Sequence, residues 1–102
     1  MTDTKDRIRS ALKTTIEIEQ AGLDQLLASI GDEAIQAVEV IGGLSGRLAC
    51  AGVGKSGHVA RKIAATLAST GTQAYFVHPA EASHGDLGMI SQQDAVLALS
   101  KS

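Results

Sequence analysis

Aromatic residues, cysteine and basic clusters are scarce in this sequence, and each shortage excludes a class of protein. Tyr75 and Phe76 are the only aromatic residues among 102, so the chain lacks the stacking surfaces on which single-stranded nucleic acids bind. The formal net charge is −2 and no basic patch stands out, which argues against nucleic acid as a partner. Cys50 is the only cysteine, so an internal disulfide is excluded, as is usual in a reducing compartment.

Long apolar segments are also missing. The first ten residues, MTDTKDRIRS, are polar and contain no apolar run of the kind that a secretory signal needs. Residues 63–80 lack acidic residues, lysine and arginine, but Gly71 and Pro79 interrupt them, which predicts a helix, a turn and a strand and not a membrane span. We therefore expect a cytoplasmic protein without a membrane partner. We interpret Cys50, which has apolar neighbours, as an inert buried thiol.

Two segments differ in the period of their apolar residues. Ile8, Leu12 and Ile16 recur at four-residue spacing, and a period near 3.6 continues as far as Ile41, which predicts one or two helices. Residues 1–45 are therefore predicted to form an N-terminal helical segment, followed by a second segment over residues 46–102.

The second segment alternates between strand-like and helix-like patterns. Short apolar runs at 48–53, 74–77 and 95–99 predict strands, and a helix is predicted from about Ser56, as its N-cap, to a stop at Gly71. The predicted strands are continuously apolar, which is typical of parallel strands buried on both faces. The predicted fold class is therefore α/β, a three-layer domain with a parallel sheet, preceded by helices.

A glycine loop, residues 52–57, follows the first predicted strand. Backbone N–H groups at such a helix N-terminus favour a bound anion. A P-loop nucleotide site is one interpretation, but it needs a glycine five positions before Gly54, where Ala49 stands.

A dinucleotide site is a second interpretation of the same loop. Gly52, Gly54 and Gly57 meet its spacing, but a ribose-binding acid should follow at the end of the second strand. That strand is followed by His78, and the nearest acid is Glu81, so this interpretation is also disfavoured.

A third interpretation comes from two longer runs of sequence. GVGKSGHVARKIAATLASTG, residues 52–71, and FVHPAEASHGDLGMI, residues 76–90, resemble two successive blocks of arabinose-5-phosphate isomerases. Their occurrence together and in order is more specific than any single loop. The sequence is therefore similar to the first part of a sugar isomerase (SIS) domain of that family.

The resemblance implies an aldose–ketose isomerase. The family interconverts ribulose 5-phosphate and arabinose 5-phosphate, a precursor of the lipopolysaccharide sugar Kdo. Such chemistry needs a base, an oxyanion stabiliser and a grip on the phosphate. The alternative is a regulatory SIS domain that binds a sugar phosphate without catalysis. The combination of Lys55, His78 and His84 favours the enzyme.

The resemblance also implies roles for individual residues. Lys55 is the expected catalytic cation, which would stabilise the enediolate or hold the phosphate. His78 is expected to contact substrate and to be able to bind zinc, although no cofactor is required. His58 is interpreted as structural. Substrate contacts are further implied for a set of small, hydroxyl-bearing and imidazole residues: Ser56, Gly71, Thr72, His84, Ser100 and Ser102.

The sequence departs from the family pattern at its end. Residues 100–102 begin the family's phosphate loop, and the glutamates and later histidine of the family are not among these 102 residues. We therefore expect a truncated chain that is inactive alone, since the family pattern makes neither Glu81 nor Asp86 the base. Lys101 and Ser83 differ from the family at positions not expected to carry chemistry. SIS domains typically pair, so a homo-oligomer with a sugar phosphate as ligand is expected.

Overall fold

The computed structural model describes residues 2–80 and 86–101 of the chain, which divides into two compact units, 1–36 and 37–102. The predicted boundary at residue 45 stays a prediction. His84 and Ser102 lie outside the described residues, as do Glu81 and Ser83. The elements of the described chain are α1 (Thr2–Ser29), α2 (Asp32–Gly42), β1 (Leu48–Gly52), α3 (Lys55–Ser69), β2 (Ala74–Val77), a 3₁₀ turn (Asp86–Met89) and β3 (Ala95–Leu99).

The first unit is built on the long helix α1. Its apolar residues recur at helical spacing, and no proline interrupts its 28 residues. Ile8, Leu12 and Ile16 nevertheless remain 56%, 62% and 57% exposed, so the described chain does not bury this apolar stripe.

None of the described helices is both long and apolar enough to cross a lipid bilayer.

The second unit contains a parallel three-stranded sheet in the order β2–β1–β3. The second and third strands have the predicted bounds, and β1 ends one residue earlier than predicted, at Gly52. Gly52 ends the strand because the chain must turn there into α3. The predicted α/β class with a parallel sheet and preceding helices is confirmed.

The core lies between the sheet and α3. Leu48 and Cys50, 1% and 0% exposed, face Ala60 and Ala64 of the helix. Alanines at four-residue spacing let α3 lie close to the strand, and burial of Leu48 alone contributes roughly 2 kcal/mol. Cys50 is buried as interpreted, and this burial raises the pKa of its thiol.

The opposite face of β3 is open in the described chain. Side chains alternate along a strand, so Val96 and Ala98 point away from α3. Val96 is 52% exposed. The expectation that continuous apolarity means burial on both faces is therefore wrong for this strand of the described chain, because α3 covers only the face that carries Leu97.

Hydrogen bonds join the strands at their amino ends, which we call the amino edge. The Asp94 carboxylate accepts the Arg47 N–H at 2.6 Å and the Ser91 N–H at 2.8 Å. These hydrogen bonds hold the pKa of Asp94 below its usual range, and the bond from Arg47 has the largest effect. The Gly46 N–H donates to the Gln93 carbonyl at 3.1 Å, and a side chain at Gly46 would collide with Asp94. The amino edge is thereby closed by contacts between the residues just before β1 and the turn before β3.

Candidate functional site

The turn between β1 and α3 depends on Gly54. Its φ of 60° and ψ of −129° are strained for any residue with a side chain, and it caps the helix without a side-chain hydrogen bond. The helix consequently begins at Lys55. The prediction of Ser56 as the N-cap is wrong, because the glycine turn starts the helix earlier and places Ser56 in the first turn.

Gly52 and Gly57 bring the strand and the helix into backbone contact. A Cβ atom built on Gly57 would lie 2.7 Å from the Gly52 carbonyl oxygen, and one built on Gly52 would lie 2.8 Å from the Ser56 carbonyl. Both distances are shorter than van der Waals contact. The glycine spacing that resembled a dinucleotide fingerprint is therefore explained by close packing of β1 against α3.

The first helical N–H groups are left available by this turn. Gly57 donates to the Val53 carbonyl at 3.3 Å and His58 to the Gly54 carbonyl at 3.1 Å. The N–H groups of Lys55 and Ser56 precede these bonds and have no carbonyl four residues back within the helix. They form the positive end of the helix dipole.

A cleft of about 530 Å³ opens at the carboxyl ends of the strands, and we call it the carboxyl-edge cleft. Gly52 of β1 pairs with Leu99 of β3, so the residue after Leu99 comes to lie beside the glycine loop. The structure thus brings Lys55, Ser56 and Ser100 together as lining residues. The full lining is Ala51, Gly52, Val53, Lys55, Ser56, Pro79, Ala98, Leu99, Ser100 and Lys101.

The lining of this cleft suits a small anion with a polar body. Its charged residues within the described chain are the lysines Lys55 and Lys101, and hydroxyls come from Ser56 and Ser100. Ligand clefts in proteins commonly enclose about 300–1,000 Å³. Lysine ammonium groups, hydroxyls and helix N–H groups are all donors to phosphate oxygens.

Sequence reasoning missed Lys101 as a lining residue. The side chain is exposed, and the family resemblance implied no chemistry for it. Its position directly after Ser100, at the end of a predicted strand beside the glycine loop, was the available signal.

His78 lies on another side of the glycine loop. It shares a small cleft of about 210 Å³ with His58 and Arg61, whose guanidinium stacks 4.0 Å from the centre of the Phe76 ring. The Ala80 N–H donates to Nδ1 of His78 at 3.1 Å. A neutral imidazole that accepts at Nδ1 carries its proton on Nε2, which makes Nε2–H a donor. His58, interpreted as structural, is exposed in this same cleft.

The surroundings of His78 bear on its expected role as a zinc ligand. A histidine ligand usually donates its second ring N–H to an acceptor, whereas His78 accepts there. Residues 2–80 and 86–101 contain no group of three or more potential metal ligands. The described residues do not fit a zinc site in this conformation, and the metal role of His78 stays a prediction.

Gly71 and Thr72 lie at the amino edge. Gly71 has a φ of 102°, and the Thr72 N–H donates to the Leu67 carbonyl at 2.9 Å, which ends α3. Both line a cleft of about 370 Å³ with Arg47. One strand length, roughly 16 Å, separates this edge from Lys55. In the described part of the chain, Lys55 and the pair Gly71 and Thr72 line different clefts, and substrate contact by Gly71 and Thr72 stays a prediction.

Comparison with known proteins identifies relatives of this chain. Residues 45–102 match the SIS domain family. The chain is 57% identical over all 102 residues to the arabinose 5-phosphate isomerase KdsD of Pseudomonas aeruginosa, of which it spans 31%. It is 54% identical over 94 residues, 92% of its own length, to KdsD of Yersinia pestis, of which it spans 29%. The chain thus spans about 30% of these relatives.

A solved structure shares the fold. A protein of Escherichia coli CFT073, solved in complex with arabinose 5-phosphate, superposes with a TM-score of 0.85 at 40% identity. The match covers 93% of this chain and 50% of that one. At this identity the likeness extends beyond the fold to the sequence.

Proposed function

The chain belongs to the SIS domain family, and we propose that it provides the first part of the phosphosugar site of an arabinose 5-phosphate isomerase. The 57% identity over the whole chain to such an enzyme supports the activity, and the arabinose 5-phosphate complex of a structural neighbour supports the ligand. The single observation that carries the proposal is the meeting of Lys55, Ser56 and Ser100 in the carboxyl-edge cleft.

We assign phosphate binding to the donors of this cleft. The N–H groups of Lys55 and Ser56 and the hydroxyls of Ser56 and Ser100 are donors that one phosphate accepts together. The Lys55 ammonium stabilises the negative oxygen of the enediolate as it develops. The Nε2–H of His78 is a further donor for a sugar oxygen.

The proton transfer needs a base that the described lining does not contain. No carboxylate is among the lining residues of the carboxyl-edge cleft in residues 2–80 and 86–101. A general base must lie within hydrogen-bond reach of the proton it removes. We therefore propose that a polypeptide of these 102 residues binds arabinose 5-phosphate without isomerising it, and that the base comes from the part of the fold that the relatives have in addition.

A chimera tests the proposal. Residues 1–102 replace the aligned residues of the Pseudomonas aeruginosa KdsD, and conversion of arabinose 5-phosphate to ribulose 5-phosphate is followed. The chimera should keep turnover, and Lys55→Ala should lower kcat by about 100-fold, because an oxyanion stabiliser is lost. Lys62→Ala on the exposed side of α3 is the matched control and should leave kcat unchanged.

The outcomes separate the two candidate functions. A folded chimera without turnover that still binds arabinose 5-phosphate would favour a regulatory SIS domain. Turnover that survives Lys55→Ala would remove Lys55 from the mechanism. Turnover by the 102-residue chain alone, at its verified mass, would refute the proposed division of the chemistry.

We further propose a cytoplasmic homo-oligomer whose product supplies Kdo for lipopolysaccharide. The edge positions of β2 and β3 in the described sheet and the exposed apolar stripe of α1 support association between copies. Light scattering at high protein concentration should give a dimer or a larger species. A clean monomer would contradict the association.

A further inference from the structure

The register of the sheet places two lysines on one cleft. Lys55 follows β1, and Lys101 follows β3, and the pairing of Gly52 with Leu99 puts the ends of these two adjacent strands side by side. Both lysines line the carboxyl-edge cleft, and both are exposed. They reach the cleft from two different loops, so they can contact one ligand from two sides.

The charge of this cleft is opposite to that of the chain. The formal net charge is −2, yet the charged lining residues of the cleft within the described chain are the two lysines. The two lysine ammonium groups repel each other. An anion bound between them is attracted to both, and these attractions offset the repulsion. A cleft lined by charges of one sign also raises the local concentration of ions of the opposite sign, here anions. The arrangement therefore favours an anion of high charge.

We propose that Lys101 is the cation that binds the substrate phosphate in this cleft and selects its dianionic form, while the Lys55 ammonium serves the enediolate oxygen of the same ligand. The inference rests on the proposed phosphosugar function. A phosphate monoester carries a charge of about −2 above its second pKa, near 6. Each ammonium donates up to three hydrogen bonds. Ser100 and Lys101 then hold the phosphate from the β3 side, while the backbone N–H groups of Lys55 and Ser56 hold it from the helix side.

Lys101 should act on binding and not on the chemical step. The phosphate does not react in an aldose–ketose isomerisation, so a contact to it stabilises ground state and transition state alike. Loss of such a contact raises KM and leaves kcat unchanged. This separates Lys101 from Lys55, whose loss is expected to lower kcat.

The experiment measures dissociation constants by calorimetry on the 102-residue chain. The ligands are arabinose 5-phosphate, inorganic phosphate and uncharged arabinose, and the variants are Lys101→Gln and Lys101→Arg. Lys62→Gln serves as the matched control, because Lys62 is an exposed lysine outside the cleft lining. Far-ultraviolet circular dichroism of each variant checks the fold.

Lys101→Gln should raise the dissociation constant for arabinose 5-phosphate about fivefold at low salt, since one charge-assisted contact is lost. Lys101→Arg should restore most of the affinity, and the difference should shrink at about 0.5 M salt, where exposed charges are screened. In the chimera with the Pseudomonas aeruginosa enzyme, Lys101→Gln should raise KM and leave kcat unchanged. Uncharged arabinose should show no dependence on the variant.

Failure of the Lys101 role and failure of the proposed phosphosugar function give different results. Equal affinity of the wild-type chain and Lys101→Gln for arabinose 5-phosphate would overturn the role of Lys101 and leave the proposed function standing. A Lys101-dependent affinity for inorganic phosphate with no gain from the sugar would support the role of Lys101 and count against the sugar substrate. Failure of the wild-type chain to bind either phosphate compound would overturn both.

Discussion

The two edges of the same small sheet are built from opposite kinds of contact. At the amino edge, the Asp94 carboxylate joins the backbone at Arg47, directly before β1, to the turn before β3 at Ser91. At the carboxyl edge, Gly52 and Gly57 pack without side chains, and donors remain available around a cleft. The hydrogen bonds of the amino edge therefore stabilise the sheet, whereas the glycine packing of the carboxyl edge leaves donors available to a ligand.

The largest expected effect comes from filling the backbone contact at the carboxyl edge. Gly57→Ala places a Cβ atom 2.7 Å from the Gly52 carbonyl oxygen, where only backbone movement gives room. It should lower the free energy of unfolding by about 3 kcal/mol and weaken binding of arabinose 5-phosphate, because α3 is pushed from β1. Urea denaturation and calorimetry measure the two effects.

Gly22→Ala is the control for that substitution. Gly22 lies inside α1, and a Cβ atom there meets nothing within 4 Å. The change should raise helix stability by about 0.5–1 kcal/mol. Equal effects of the two substitutions would contradict the backbone contact.

A smaller effect is expected from the amino edge, and it should depend on pH. Asp94→Asn removes the charge that accepts the Arg47 and Ser91 N–H groups. The pKa of Asp94 is lowered in the folded state, so its stabilisation is complete above the usual range of an aspartate and is lost as the pH falls through the folded-state value. Wild type should therefore unfold at higher urea than Asp94→Asn at neutral pH.

The two proteins should converge in urea midpoint as the pH is lowered below about 4, the usual aspartate range. Affinity for arabinose 5-phosphate at neutral pH should be unchanged in the folded variant, because Asp94 lies at the other edge from the cleft. A urea difference that persists unchanged to low pH would show that the Asp94 charge is not its source.

The smallest expected effect concerns Tyr75 at the amino edge. The Arg47 guanidinium lies 4.4 Å from the centre of its ring, while its hydroxyl is 3.5 Å from the Met89 carbonyl oxygen. Tyr75→Leu should cost about 0.5–1 kcal/mol through the lost cation–π contact. Tyr75→Phe keeps the ring and should change stability by less than Tyr75→Leu. The reverse order in thermal or urea unfolding would assign the stabilisation to the hydroxyl.

The strands of the second unit were predictable from sequence because their signals are local. Apolar runs bounded by glycine loops and turns mark β1, β2 and β3, and the bounds of the last two match residue for residue. The glycine loop between β1 and α3 was predictable for the same reason, and its anion binding stays a prediction. The start of α3 was missed because the preference for serine at N-caps does not reveal the positive φ of Gly54.

The pairing of the strands brings together residues that are far apart in sequence, and these contacts could not be predicted from local patterns. Lys101 reaches the cleft because β3 lies beside β1, and Asp94 closes the amino edge across 47 residues of chain. Gly71 and Thr72 ended at the amino edge since they precede β2, whereas Lys55 follows β1. A family resemblance assigns several residues to one site. The topology of the sheet determines at which edge each of these residues lies.

An amide chemical-shift titration of the 102-residue chain with arabinose 5-phosphate tests the central claim most directly. Binding at the carboxyl-edge cleft predicts that the largest shifts fall on the backbone amides of Lys55, Ser56 and Lys101, while those of Arg47 and Asp94 at the amino edge stay in place. Shifts concentrated at the amino edge, with Lys55 and Ser56 unmoved, would contradict the account.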